Sequence, residues 1–183
     1  MNYHWKNIFK ESAGILALMA FIGIAGGHVL GAIEEDLLLY PILLFLVPIL
    51  NGVGGNLGAV LGARLSSGLH AGYLDASYDD REVIENLMIT LLMGGMVFIG
   101  LAVGVSLSSL ALPLGLDFIQ LLAIILGAGV ITTVSITFIT VFTTLYSYNK
   151  NMDPDNVVIP IVTTACDFIG IVSLVFMIWL VII

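Results

Sequence analysis

Five long apolar runs constrain this chain more than any other feature, at about 12–33, 37–65, 86–112, 116–146 and 157–183. A helix that crosses the hydrocarbon of a bilayer needs about 20 mostly apolar residues, and each run supplies them. Hydrophobic residues make up 60% of the chain and charged residues 10%, against roughly a quarter charged in a soluble domain. The sequence therefore predicts an all-α membrane protein with five transmembrane helices in each protomer. In 183 residues the spans leave room for short loops alone, so 1–183 reads as one transmembrane domain with no soluble sensor domain.

Orientation follows from the basic residues, which collect at cytoplasmic ends and in short cytoplasmic loops. Lys6 and Lys10 precede span one, Arg64 and Arg81 flank the loop between spans two and three, and Lys150 lies between spans four and five. Five crossings put all of them on one side. The N-terminus is expected in the cytoplasm, the C-terminus outside it, and the protein in the cell membrane. Lys6 and Lys10 ahead of an apolar run mimic a signal peptide, but the run is too long and has no small-residue cleavage site, so it is read as a span. Tyr3, Trp5 and Phe9 suit an interfacial lead-in to it.

A net charge of −8 argues against a nucleic-acid partner, which calls for a basic face. The acids gather instead at the two membrane faces. Glu34, Glu35 and Asp36 fall at the outer one, and Asp75, Asp79, Asp80, Glu82, Glu85, Asp153 and Asp155 at the inner one. Such clusters raise the local concentration of cations. The single cysteine, Cys166, has no intrachain disulfide partner and is expected to pack as a small apolar group.

Within the spans, small and polar residues are spaced for helix packing. Gly23, Gly27 and Gly31 of span one form a ridge that another helix can approach closely, and Gly95, Gly100 and Gly104 make a looser one in span three. Thr133, Thr137, Thr140 and Thr144 share one face of span four, where each hydroxyl can bond the carbonyl one turn back. Asp79 with Glu82 has capping-box spacing before span three, and Asp153 followed by Pro154 marks the start of span five. Span two is irregular. Pro41, Pro48 and the stretch Asn51-Gly52-Val53-Gly54-Gly55-Asn56 interrupt it, which predicts a bend or partial unwinding and points to a binding site.

Asp167 is the residue that calls for a function. It lies thirteen residues after Pro154, about 20 Å along a helix and so near the bilayer midplane. A carboxylate there costs roughly 2.5 to 3.5 kcal/mol on insertion scales. Its helical neighbours Pro160, Thr163, Thr164 and Gly170 make a small, partly polar face, while Val162, Ala165, Phe168, Ile169, Val172 and Phe176 suit lipid or other helices. Arg64 and Arg81 lie at the inner face, so no basic residue is available deep within the spans to pair with it. A protonated Asp167 bonded to Thr163 or to a backbone carbonyl is one resolution. A bound cation is the other, since a divalent ion held through a water at about 4.5 Å gains roughly 7 kcal/mol from a carboxylate at an effective dielectric near 20. On span two, Asn51, Gly55, Gly58 and Gly62 make a second small ridge that can come close to it. With oxygen ligands alone, and His28 expected in a packing or interfacial role near the outer end of span one, the chemistry favours a hard ion such as Mg²⁺, which keeps several of its waters.

The stretch from Pro48 through Asn51-Gly-Val-Gly-Gly-Asn56 to Ala63-Arg64-Leu65-Ser66 resembles the signature of the MgtE family of magnesium channels, and is closest to their relatives among the eukaryotic solute-carrier magnesium transporters. Asp153-Pro154, Thr163-Thr164, Asp167 and Gly170 resemble that family's fifth-span motif. The resemblance implies a homodimer in which spans two and five of both chains line a central pathway for Mg²⁺, with Asp167 from each chain forming the ion-selecting pair and Asn56 orienting coordinated water. The expected metal-site residues are thus Asp167, Asn56, Gly55 and Thr163. Two departures stand out: the cytosolic sensor domains that gate bacterial members are missing, and Asn56-Leu57-Gly58-Ala59 stands where those members usually carry further polar residues.

Other functions fit less well. A Na⁺- or H⁺-coupled exchanger of divalent cations would use the same residues, and a non-transporting membrane subunit would leave Asp167 without a task. An intramembrane aspartyl protease needs a Gly-x-Gly-Asp pattern and a second aspartate deep in a span; the pattern is absent and Asp117 stands at a span end, so no enzymatic activity is expected.

Overall fold

The computed structural model describes residues 5–110 and 115–182, and over them it is built of helices. In chain order these are α1 (Trp5–Gly31), α2 (Glu34–Leu39), α3 (Pro41–Ala71), α4 (Arg81–Ser108), α5 (Phe118–Asn149) and α6 (Pro154–Ile182). Five of them, all but α2, are long and apolar enough to cross a membrane, which matches the expected number of spans. Tyr3, and Pro113 of the turn expected between spans three and four, lie outside the described residues.

Local chemistry explains the helix ends. Pro41 opens α3, where its missing N–H would have no partner in any case. Gly72 closes it at a φ of 76°, with its N–H donating to the carbonyls of Gly68 and Leu69. Only glycine takes that left-handed turn without strain. The cap of α4 is Asp80 and not Asp79: its carboxylate accepts the Val83 N–H at 3.1 Å. The sequence offered two adjacent aspartates, and the backbone path of the loop selects the second. Asp117 and Gln120 form a reciprocal capping box on α5. Asp153 accepts the Asp155 N–H at 3.1 Å just before Pro154 opens α6, as its sequence implied.

Three expectations are corrected. Span two does not unwind, because α3 is continuous through Pro48 and the glycine-rich stretch. It also runs six residues past Leu65, to Ala71. Ser66 and Leu69 are buried there, and Tyr148 of α5 donates to the Leu69 carbonyl, so polar composition does not end the helix. The acidic cluster at Glu34 is a short helix, with Leu37 buried beneath it.

The four long helices α3 to α6 form the bundle, with α1 lying on α6. One large apolar cluster, including Leu43, Leu46, Leu50, Phe98, Leu121 and Leu174, fills one end, and a smaller one around Leu61, Leu65, Leu69, Val83 and Leu145 fills the other. Leu16, Phe21 and Ile24 of α1 are exposed, as suits lipid contact. The predicted glycine ridges of α1 and α4 do not pack against the described residues: among these, side chains added at Gly23, Gly27, Gly31, Gly95, Gly100 or Gly104 would meet nothing. Gly26 is the α1 glycine that faces α6, against Phe168 and Ile171. The threonine face of α5 behaves as expected at three positions. Thr137, Thr140 and Thr144 donate to the carbonyls of Thr133, Ile136 and Thr140 at 2.7 to 2.8 Å.

Candidate ion site

The glycines of α3 pack it tightly against α6 along an antiparallel seam. A side chain on Gly62 would run into Val158, one on Gly58 into Val162, and one on Gly54 into Cys166. Each step of four residues down one helix matches four up the other, the interval at which side chains stack on one helix face. Thr132, Ile136 and Thr140 of α5 wedge into the same seam. Small residues that let backbones approach are how helices associate where lipid removes most of the hydrophobic drive. The glycines therefore place α6 and do not open α3.

At the fourth step the pattern inverts. Here α6 supplies the glycine, Gly170, and α3 supplies the side chain, Asn51, whose Oδ1 occupies the space that a Cβ on Gly170 would need. That Oδ1 is buried and has no hydrogen-bond partner among the described residues. The other end of the amide faces the Asp167 carboxyl within hydrogen-bonding reach. Cys166 is buried among Ile136, Val158 and Val162, and its thiol donates to the Asn51 carbonyl at 3.4 Å, so it packs as its lone occurrence suggested.

Asp167 sits mid-way along α6 and is exposed on the surface of the protomer. Among the described residues no cationic side chain pairs with it; Arg81 bonds Glu85 at 2.7 Å and Lys150 lies over the Tyr146 ring. Thr163, one turn before, is partly exposed beside it and donates its hydroxyl to the Ile159 carbonyl at 2.9 Å, which leaves the oxygen free to accept. On α3, next to Asn51, Gly52 is exposed while Gly55 is buried, and among the described residues a side chain added at either would meet nothing. Asn56 and Ala63 are also exposed, further round α3.

Asn56 is the predicted residue that the protomer does not bring to Asp167. Five residues beyond Asn51 turns it about 140° around the helix. It opens onto a groove between α3 and α4 of about 290 Å³, shared with Val60, Arg64, Thr90 and Met93. His28 is exposed on α1, near its end. Among the described residues no three His, Cys, Asp or Glu side chains cluster as a metal site. Ion-holding groups on one protomer would thus be the Asp167 carboxylate with amide, hydroxyl and carbonyl oxygens, a donor set that suits a hard, partly hydrated cation.

Asn51 was noticed in the sequence as part of a small ridge, but its position against Asp167 was not. Thr132, outside the four-threonine face of α5, is fully buried and shares a hydrogen bond of 3.0 Å with Ser173 of α6. The available signal was the same for both, a polar side chain one helical turn from a glycine or serine on a helix that must be packed.

Residues 47–177, well over half of the chain, match the model of a family described as MgtE, divalent cation transporter. Among curated proteins none matches the chain at significant similarity.

Proposed function

Because the chain belongs to the MgtE family of divalent cation transporters, we propose that it carries Mg²⁺ across the cell membrane through a homodimer, along a pathway lined by α3 and α6 of both copies. The observation that carries this reading is Asp167 itself. It is mid-span, exposed, without a cationic partner among the described residues, and faced from α3 by Asn51, next to the exposed Gly52. Such a face is costly in lipid and is relieved when a second copy covers it and an ion occupies it.

In this arrangement each copy contributes one Asp167 carboxylate. Two carboxylates across an axis attract a divalent ion far more than one, while its retained waters bridge to them and to the Thr163 hydroxyl and Gly55 carbonyl. Asn56, exposed on α3, would reach the pathway from the part of α3 that faces the second copy. The basic residues Arg64, Arg81 and Lys150 lie at one end of the bundle and mark the cytoplasmic side. The acidic loops there concentrate cations at the mouth.

The test is Mg²⁺ entry into liposomes containing the purified protein, read with an internal magnesium indicator. Asp167→Asn is expected to abolish flux while leaving helical content and detergent elution unchanged. Flux equal to that of the unmodified protein would sink the proposal.

A further inference from the structure

We infer that Asn51 is a positioning residue for the Asp167 carboxylate, and that the position facing it on α6 is a glycine so that Asn51 can reach. The inference rests on the reading of Asp167 as the ion site and assigns the group that sets its geometry.

The amide of Asn51 is used asymmetrically. Its Oδ1 is buried against Gly170 with no hydrogen-bond partner among the described residues, while its other end faces Asp167. A buried acceptor without a partner is unfavourable, and turning the amide over would aim that same oxygen at a carboxylate and lose the bond to it. The orientation is therefore the one that serves an ionised Asp167: the N–H end is turned toward the carboxyl, within reach of one carboxylate oxygen, and the oxygen that remains stays with Gly170, where only the weak Cα–H contact is on offer. The backbone of Asn51 is fixed as well, since its carbonyl accepts the Cys166 thiol from the residue next to Asp167.

Holding one oxygen leaves the other aimed at the open face. That matters for choosing among ions. Mg²⁺ demands near-octahedral geometry, whereas Ca²⁺ accepts six to eight ligands in flexible arrangements. A carboxylate fixed by Asn51 favours the ion with strict geometry, and one free to swing favours neither. Gly170 is part of the device, because any side chain there displaces the amide.

Liposome flux decides the matter, with the Mg²⁺-to-Ca²⁺ flux ratio and the half-saturating Mg²⁺ concentration read for each variant. Asn51→Ala is expected to fold and to change the ratio by about tenfold, the scale of one lost hydrogen bond to a charged group. Gly170→Ala alone is expected to destabilise the protein. The double variant removes the clash, so it should recover the thermal stability of Asn51→Ala and share its flux ratio. A double variant that fails to fold while Asn51→Ala folds would overturn the pairing with Gly170. An unchanged ratio and half-saturation in Asn51→Ala, with Asp167→Asn inactive, would overturn the positioning role and leave the ion site standing. Full flux in Asp167→Asn would overturn both.

Discussion

Gly58 of α3 lies so close to Val162 of α6 that one added carbon would overlap the valine side chain. Ile136 and Thr140 of α5 close the same point from the other side, at 2.6 and 3.1 Å from where that carbon would be. Both hydrophobic neighbours are β-branched and stiff, so neither can swing aside. Gly58→Val is expected to lower stability by about 1–3 kcal/mol or more through overpacking. Thermal unfolding in detergent checks this, and Ala59→Val, one position away on a partly exposed site, serves as the control that should change little.

The buried bond between Thr132 and Ser173 joins α5 to α6 at 3.0 Å. Ser173 also donates to the Gly170 carbonyl at 3.0 Å, so it keeps a partner when Thr132 is replaced. Thr132→Val, which preserves shape, is expected to cost about 0.6 kcal/mol and no more than about 1.7, the range for hydrogen bonds between membrane helices. Reversible unfolding in mixed micelles measures it. A larger loss would show that the hydroxyl does more than join two helices.

At the loop end of α4, Asp80 accepts from the backbone of Val83 at 3.1 Å and of Asp75 at 3.3 Å. It thus ties the 72–80 loop to the helix it begins. Asp80→Ala is expected to cost about 1 kcal/mol and to raise hydrogen exchange in the first turn of α4. Asp79→Ala, whose carboxylate does not cap the helix, should leave that turn protected.

Asn56 separates folding from transport. It is exposed on the protomer, and exposed substitutions usually shift stability by no more than about 0.5 kcal/mol. Asn56→Leu is expected to fold normally and to reduce Mg²⁺ flux several-fold. Normal flux would remove Asn56 from the pathway while leaving Asp167 in it.

The spans were legible because hydrocarbon imposes a length and a composition that read directly from the chain, and the cap at Asp153 was legible because capping is a local bond between neighbours. Span two was misread for a physical reason. Glycine weakens a helix in isolation, which suggests unwinding, but in α3 the missing side chains are what let Val158, Val162 and Cys166 come into contact, and packing outweighs propensity. Asp167 stood out because its cost in lipid needs no partner to be noticed. Asn51 did not, because its meaning depends on which residue of another helix lies across from it. That register is set by the whole seam from Gly62 to Asn51 and by no short stretch of sequence.

Whether Asp167 is half of a shared site is tested most directly by anomalous scattering from Mn²⁺, a divalent stand-in for Mg²⁺, in crystals of the assembled protein. One peak between the Asp167 carboxylates of two copies, at a distance that admits bridging water, is the expected result. Peaks confined to the acidic loops, with none near Asp167, would contradict it.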